Sequence, residues 1–449
     1  MSTTTTANPE PIKAAPGEKE TTVGNYFVSN YPPYSFWRPD HVSHLFEVLE
    51  NPPKPGTPLG VYFHIPFCRK RCHFCYFRVY TDKNAAAIKG YIEAGLKELE
   101  LYAKHPVIAG RKANFVYFGG GTPSYLSVDQ LRHLTDGMKK HVPWDEAEEV
   151  TFECEPGTLN EQKLKAIREV GVTRLSLGVE NFDDHILEIN GRAHRSKEIA
   201  RAYEVARELD FPQINIDLIA GMVEETEDNW QDCIRKTLAM APDSVTIYQM
   251  EIPYNTTLYQ QMKAEGKLNA PVADWDVKRR WVKEAFAELE KNGYTVGSAY
   301  TAVKDKTKTR FVYRDQLWAG ADLLGLGVAS FGHLQGTHYQ NQHDFDPYVN
   351  SILEGKLPVY RALTPTDEER LIREFVLQLK LGSVRCDDFK QKFGVDILER
   401  FARPLRTMHD WGFGQVEGDR VVLNRDGLLQ ADRLLHEFFL PQHRNARYA

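Results

Sequence analysis

Residues 60–75 read Gly60-Val-Tyr-Phe-His-Ile-Pro-Phe-Cys68-Arg-Lys-Arg-Cys72-His-Phe-Cys75. The apolar run before the proline has the length of a buried β-strand, and the cysteines follow it in a loop. A closed structural zinc site takes four ligands, whereas three thiolates suit an iron–sulfur cluster that keeps one iron open. The C-x3-C-x2-C spacing therefore predicts such a cluster. Buried thiols, or a zinc site completed by His64 or His73, stay open as alternatives.

After this strand, short apolar runs alternate with amphipathic segments of helical spacing. The predicted strands are 60–65, 114–118, 149–153, 174–178, 213–219 and 244–250. The predicted helices are 85–104, 127–141, 160–170, 197–209 and 227–241, with Ser127 and Asn160 as N-caps. Such alternation indicates βαβ units around a parallel sheet. Because six units are present where a closed barrel has eight, we expect an α/β fold with an incomplete (β/α)6 barrel and an active site at the C-terminal strand ends.

Composition also divides the chain into regions. Residues 1–24 are polar and poor in aromatics, which predicts a disordered tail. Residues 25–58 hold an aromatic segment and a proline-rich linker, and the aromatic density predicts that 25–37 packs against the rest of the chain, over the mouth of a site. The barrel is expected over 59–300, followed by a barrel extension and substrate region over 301–360. Residues 361–449 are expected to form a small helical, winged-helix-like α+β domain with a scaffold role.

The composition argues against several classes of function. A formal net charge of −6 lacks the basic excess of a nucleic-acid-binding surface. The cysteines at 68–75 are clustered, which indicates metal ligation in a reducing compartment rather than a disulfide scaffold. The sequence shows neither a signal-peptide pattern nor an apolar stretch of membrane-spanning length. We therefore expect a cytoplasmic monomer with no nucleic-acid partner and no membrane span.

A second motif follows the next predicted strand. Phe118 leads into Gly119-Gly-Gly-Thr-Pro-Ser124, where glycines allow close approach of the backbone and exposed N–H groups can bind an anion. By itself such a segment is more often a tight turn than a ligand site. Because the neighbouring strand leads into the cysteines, the motif favours a shared binding site.

These motifs resemble those of the coproporphyrinogen III oxidase family of radical S-adenosylmethionine (SAM) enzymes. The resemblance also lies in Arg174-Leu-Ser-Leu-Gly-Val-Glu-Asn-Phe-Asp-Asp184, Gly191-Arg-Ala-His194 and Ile216-Asp-Leu-Ile219, and it extends from about residue 25 to the C-terminus. The family includes the anaerobic oxidase, heme chaperones of the HemW type, heme-degrading methyltransferases, and methylating or cyclopropanating enzymes of secondary metabolism.

The resemblance implies that Cys68, Cys72 and Cys75 hold a [4Fe–4S] cluster whose open iron binds SAM. Reductive cleavage of SAM would release a 5′-deoxyadenosyl radical that abstracts hydrogen from a substrate. Glu180 and Tyr62 are expected to be catalytic. Contacts with one or two SAM molecules are implied for Tyr62, Phe74, Gly120, Gly121, Thr122, Glu153, Glu180, Arg192 and Asp217.

Departures from the family pattern bear on the activity. Where the oxidase has a fourth cysteine, two positions after the third, this chain has Phe77, which argues against the oxidase reaction proper. Glu180 replaces the glutamine of the family's GVQ motif, and its extra carboxylate favours a cationic partner such as a second SAM sulfonium. By contrast, the segment Asn30-Tyr-Pro-Pro-Tyr34 and the stretches 325–332 and 339–342 resemble the oxidase more than the chaperones.

The sequence therefore predicts a radical SAM enzyme that receives electrons from a donor such as flavodoxin or ferredoxin. Its small-molecule substrate is expected to be a tetrapyrrole or a similar conjugated compound, changed by oxidation or by radical methyl transfer. A HemW-type heme chaperone and a zinc-binding, non-radical protein are the alternatives.

Overall fold

A computed structural model describes residues 25–265, 272–444 and 446 of the chain. The predicted disordered tail, residues 1–24, lies outside the described residues. Within the described ranges, no helix combines the length and the apolar character that a membrane crossing requires.

The predicted parallel sheet is confirmed. Strands β1 to β6 lie side by side in chain order, and each pairs in parallel with the next. Each predicted strand agrees with the observed one to within two residues, because its apolar residues lie in a short run or at every second position. The observed bounds are β1 Leu59–Ile65, β2 Phe115–Gly120, β3 Glu149–Cys154, β4 Arg174–Glu180, β5 Gln213–Ala220 and β6 Ser244–Gln249.

The helices that cross between these strands are also where the spacing predicts them. The side chains of Ser127 and Asn160 accept hydrogen bonds from the first turns of their helices, so both predicted N-caps are confirmed. The helices are α1 Val42–Leu49, α2 Ala85–Tyr102, α3 Val128–Lys139, α4 Glu161–Glu169, α5 Asp184–Ile189, α6 Ser196–Glu208, α7 Glu227–Met240, α8 Thr257–Ala264, α9 Trp275–Lys291, α10 Val312–Trp318, α11 Phe345–Leu353, α12 Asp367–Leu379, α13 Cys386–Phe393, α14 Ile397–Arg400, α15 Ala402–Asp410, α16 Arg425–Leu429 and α17 Ala431–Leu435.

The sheet does not close into a barrel, because further strands continue it at both sides. A seventh parallel strand pairs with β1, and three antiparallel strands follow it outward. Beyond β6 lie two short antiparallel strands. These additions occupy backbone groups that β1 and β6 would otherwise leave unpaired at open edges. The added strands are β7 Thr295–Val296, β8 Thr301–Val303, β9 Asp322–Leu326, β10 Phe331–Leu334, β11 Thr337–Asn341 and β12 Val359–Leu363.

The C-terminal part has a small sheet and a core of its own. Strands β13 (Ser383–Arg385), β15 (Arg420–Leu423) and β14 (Gly414–Glu417) form an antiparallel sheet in that order. Helices α12 to α17 pack with it around buried residues that include Phe375 and Phe438. Helices α14 and α15 are separated at Phe401, whose side chain is buried in this core.

The aromatic N-terminal segment packs against the body of the protein, as predicted. Val28 and Tyr31 are fully buried in the C-terminal core, and the Tyr31 hydroxyl lies 2.7 Å from Nδ1 of His443. The buried Lys380 ammonium donates to the Val28 carbonyl at 2.8 Å and pairs with Asp432 at 3.1 Å. The segment thus connects the C-terminal part to the parallel sheet.

Candidate functional site

A cavity of about 400 Å³ opens at the C-terminal ends of β1 to β6. This is the edge at which parallel α/β sheets place their ligands, because the loops that follow each strand meet there. The cysteine loop after β1 forms one wall of the cavity and the glycine turn after β2 another. Charged side chains from the ends of β3, β4 and β5 complete the lining.

The three cysteines line this cavity as free, half-buried thiols. Thr122 Oγ1 donates to Sγ of Cys68 at 3.4 Å, and Arg192 Nη1 donates to Sγ of Cys72 at 3.3 Å. Burial raises the pKa of Cys68 to about 11 and that of Cys75 to about 12. A bound metal centre reverses this effect and keeps coordinating thiols deprotonated. Three soft ligands with a hydroxyl and a guanidinium beside them therefore fit an iron–sulfur cluster.

The two histidines invoked by the zinc alternative do not line the cavity within the described part of the chain. Nδ1 of His64 lies 3.0 Å from the Tyr62 hydroxyl, and burial lowers the pKa of His64 to about 4. Nδ1 of His73 lies 2.9 Å from the Ile189 carbonyl. Among the described residues, no three His, Cys, Asp or Glu side chains are grouped as ligands of a single metal ion.

The glycine turn needs its glycines at two positions. Gly120 has φ of 112°, and a Cβ there would lie 2.4 Å from the His64 ring. A Cβ on Gly121 would lie 2.9 Å from the Ile65 carbonyl oxygen and 3.1 Å from Sγ of Cys68. The turn therefore lies directly against the cysteine loop, and its small size leaves room for a ligand beside the thiols.

The Gly121→Ala variant is expected to unfold at lower temperature and to retain less iron after cluster reconstitution. The added methyl group must displace backbone atoms of the cysteine loop, a kind of overpacking that costs roughly 1–3 kcal/mol. Gly90→Ala in α2 is the matched control, because nothing lies within 4 Å of a Cβ there. Thermal unfolding and iron content test this, and a Gly121→Ala protein equal to the control would contradict it.

Carboxylates from three neighbouring strands face the same cavity. Glu153 accepts from the Tyr117 hydroxyl at 2.6 Å and from the Gly120 amide at 3.2 Å. Asp217 accepts from Ser176 Oγ at 2.8 Å, and Asn215 Nδ2 donates to it at 2.8 Å. Burial raises the pKa of Glu153 to about 7 and also raises that of Asp217. These acids are therefore held in place and poised to receive a cationic ligand.

Glu180 reaches the cavity through an unusual backbone conformation. Its φ is 65°, and the pairing of β4 with β5 shifts register between Gly178 and Glu180. A non-glycine residue in the left-handed region is strained, and such strain is often found at functional sites. Burial raises the pKa of Glu180 to about 7, while one carboxylate oxygen lies 3.7 Å from Nη2 of Arg192.

Arg192 links the cysteine loop to these acids. Besides Cys72, its guanidinium donates from Nη2 to the Gly178 carbonyl at 2.6 Å. Its Nε is buried and has no hydrogen-bond partner among the described residues. Next to it, Glu155 pairs with Arg69 at 3.1 Å and with Nδ1 of His194 at 3.2 Å. The site therefore offers an unused donor beside the cysteines.

Most of the site residues expected from the sequence line this one cavity. They are Cys68, Cys72, Cys75, Phe74, Gly120, Gly121, Thr122, Glu153, Glu180, Arg192 and Asp217. The exception is Tyr62, which is not among the described lining residues. Its ring stacks on that of Tyr117 at 5.9 Å and packs against a cluster around Phe115 and Leu323. Tyr62 thus packs beside Tyr117, which lines the cavity, and its direct contact with a ligand stays a prediction.

The stretches 325–332 and 339–342, which belong to the region expected to lie near a substrate, are not among the described residues that line the cavity. They belong to β9–β11 and the connections between them, where the amide of Gly327 donates to the buried Glu98 at 2.9 Å. Asn341 and Tyr348 donate to the same carboxylate. This network fixes the added strands to α2 and does not contribute to the cavity wall.

Several lining residues were missed in the sequence. Tyr117 and Ser176 precede strand ends by a few residues and face the cavity by strand alternation, a signal that could have been used. Phe27 comes from the N-terminal segment, and its amide donates to Glu251 at 2.7 Å. Burial raises the pKa of Glu251 to about 8. No local pattern brings residues 27 and 251 together.

Comparison with known proteins agrees with this geometry. A family model described as the radical SAM superfamily matches residues 62–237, and one described as the HemN C-terminal domain matches residues 366–429. The heme chaperone HemW of Bacillus subtilis is 28% identical over 384 residues, covering 84% of this chain and 98% of that protein. The oxygen-independent coproporphyrinogen III oxidase of Cereibacter sphaeroides is 28% identical over 395 residues, which cover 83% of this chain and 85% of that protein.

A solved structure has the same fold. The coproporphyrinogen III oxidase HemN of Escherichia coli, described as a radical SAM enzyme, superposes with a TM-score of 0.79 at 22% identity. The match covers 92% of this chain and 96% of that one. The partial α/β barrel with a C-terminal α+β domain is therefore a shared architecture.

Proposed function

Because this chain belongs to the radical SAM superfamily and is of the HemN/HemW type, we propose that it is an enzyme that acts on a tetrapyrrole. The observation that carries the proposal is the single cavity in which three cysteines, a glycine turn, Arg192 and strand-end carboxylates meet. The family implies a [4Fe–4S] cluster and SAM as cofactors. When bound, they supply an electron and a cleavable S–C5′ bond, which together yield a 5′-deoxyadenosyl radical.

In this proposal, Cys68, Cys72 and Cys75 hold the cluster, and the protein's other groups orient SAM. The amides of Gly120, Gly121 and Thr122 already donate to Glu153 and to the carbonyls of Ile65 and Phe67, so the turn contributes space beside the thiols rather than free N–H donors. The free Nε–H of Arg192 is a donor for the cofactor's carboxylate. Glu153 receives the ammonium group, and Asp217 receives ribose hydroxyls. Glu180, which carries one charge more than the glutamine of the family pattern, accepts a cationic group.

The affinity for SAM is expected to rise as the pH increases from about 5.5 to about 7.5. Glu153 and Glu180 both have a pKa raised to about 7 by burial, and each must be ionised to attract a cation. We expect Glu153→Gln to weaken SAM binding about tenfold at the upper pH and to flatten the rise. In the double variant Glu153→Gln/Glu180→Gln, the affinity for SAM should no longer rise with pH. Calorimetric titration of cluster-loaded protein measures this, and an unchanged pH profile in the double variant would refute the assignment.

The proposed enzyme is tested by anaerobic reconstitution followed by product analysis. Cluster-loaded, reduced protein should form 5′-deoxyadenosine in a tetrapyrrole-dependent manner when offered coproporphyrinogen III or hemin. The tetrapyrrole product separates the two chemistries, because radical methyl transfer adds the mass of a methyl group and oxidation does not. Absence of 5′-deoxyadenosine with every tetrapyrrole would contradict the proposal.

A heme chaperone is the second candidate. It is favoured by the match to HemW over nearly the whole of that protein and by Phe77, which stands where the oxidase has its fourth cysteine. The chaperone would bind heme stoichiometrically and release it unchanged. Heme bound by the cluster-loaded protein without 5′-deoxyadenosine formation would favour this function over catalysis, and a colourless protein that holds one zinc would exclude both.

The proposal also implies a partner and a compartment. Reduction of the cluster requires a low-potential electron donor such as flavodoxin or ferredoxin. Thiolate ligands persist in a reducing compartment, so we place the protein in the cytoplasm. We also propose that it acts as a monomer.

A further inference from the structure

Two adjacent aromatic side chains face solvent at the mouth of the cavity. Tyr76 and Phe77 line the cavity and are 39% and 46% exposed. Their ring centroids lie 4.6 Å apart with an interplanar angle of 32°. Single exposed apolar residues are common on protein surfaces, but a contacting pair at the rim of a ligand cavity indicates a binding surface.

This aromatic pair is held in place before any ligand binds. Asn255 Nδ2 donates to the Tyr76 carbonyl at 3.1 Å, and Arg71 Nη2 donates to the Cys75 carbonyl at 3.1 Å. Earlier in the same loop, the amide of Cys68 donates to the Tyr80 carbonyl at 3.1 Å. A preorganised surface binds with a smaller loss of conformational entropy than a mobile one.

Further aromatic and basic groups surround the same opening. Tyr248 is 41% exposed, lines the cavity, and contacts Phe27 edge to face at 6.4 Å between ring centroids. Arg69 and Lys70 are exposed and line the cavity as well. Arg69 is already paired with Glu155, so the distinctive feature of the opening is its flat apolar surface, which suits the face of a flat ring.

We propose that Tyr76 and Phe77 are the face on which the substrate's ring stacks, and that they select a flat, fully conjugated tetrapyrrole over a reduced one. A porphyrin is planar and conjugated, whereas a porphyrinogen has saturated bridges between its pyrroles and is puckered. Offset stacking on an aromatic side chain requires the planar form. This inference rests on the proposed tetrapyrrole function and adds the oxidation level of the ring.

Coproporphyrin III and coproporphyrinogen III test the inference, because they carry the same acidic side chains on rings of different oxidation level. Anaerobic titration of cluster-loaded wild-type protein should give about tenfold tighter binding of coproporphyrin III. In Tyr76→Ala/Phe77→Ala the two affinities should become equal, and in Phe77→Trp the preference should persist. Phe46→Ala is the matched control, since Phe46 is 42% exposed on α1 and is not among the described lining residues.

Equal affinities in the wild type, or a preference that survives in the double alanine variant, would overturn the inference while leaving the tetrapyrrole function in place. If neither compound binds to a wild-type protein that still cleaves SAM, both the inference and the proposed tetrapyrrole function fail. Iron content and visible absorbance, which report on the cluster, should be the same in all variants.

Discussion

The Cys72→Ala variant is expected to lose the brown colour of the cluster and to form 5′-deoxyadenosine at least about 1,000-fold more slowly than the wild type. With three protein ligands, the proposed cluster has no spare thiolate to replace the one removed, and the site residues act as a unit. Cys72 also accepts the hydrogen bond from Arg192, so its loss removes the contact that ties this arginine to the cysteine loop. Cys68→Ala and Cys75→Ala should behave in the same way.

Cys386→Ala is the matched control for these variants. Cys386 is a buried thiol at the start of α13, far in sequence from the cysteine loop and absent from the described lining of the cavity. It should keep full iron content, visible absorbance and product formation after anaerobic reconstitution. Iron analysis, absorbance and chromatography of 5′-deoxyadenosine give the readouts. A Cys72→Ala protein with wild-type iron and activity would remove these cysteines from the site.

The parallel core of the fold could be predicted because each of its strands carries apolar residues in a short run or at every second position. Strand β5, for example, has Ile214, Ile216 and Leu218 fully buried, and its bounds follow from hydrophobicity alone. The edge strands have no such signal. Strand β7 has only two residues, and β12 pairs with β11 through contacts that no local pattern specifies. Their pairing depends on the open edges that the parallel strands present, which is a property of the assembled sheet.

The same distinction applies to the cavity. Residues at or near strand ends, such as Glu153 and Asp217, could be predicted because the fold rule places every strand's C-terminal end at one edge. Tyr62 lies as far from the end of β1 as Asp217 lies from the end of β5, but it is not among the described residues that line the cavity, so its contact with SAM stays a prediction. Phe27 and Glu251 could not be predicted, because a hydrogen bond between residues 224 positions apart exists only once the N-terminal segment has packed.

Arg192→Met is expected to weaken SAM binding about 100-fold. In the proposed complex, Arg192 supplies a free Nε–H to the SAM carboxylate while its other nitrogens contact Cys72 and Gly178. The substitution also removes the guanidinium that lies 3.7 Å from the carboxylate of the half-buried Glu180. Hydrogen bonds to charged groups contribute about 1.5–3 kcal/mol, and a loss of about 2.7 kcal/mol of binding energy corresponds to the expected 100-fold effect.

Arg192→Lys should recover only part of this affinity, because an ammonium group retains the charge but cannot make the guanidinium's simultaneous contacts. Arg201→Met in α6 is the control, since Arg201 is exposed on a helix that begins just after the same loop. Equilibrium dialysis of SAM against cluster-loaded protein measures the affinity. The change that SAM causes in the electron paramagnetic resonance spectrum of the reduced cluster gives a second readout. If Arg192→Met binds SAM within about threefold of the Arg201→Met control, the free guanidinium donor does not hold the carboxylate.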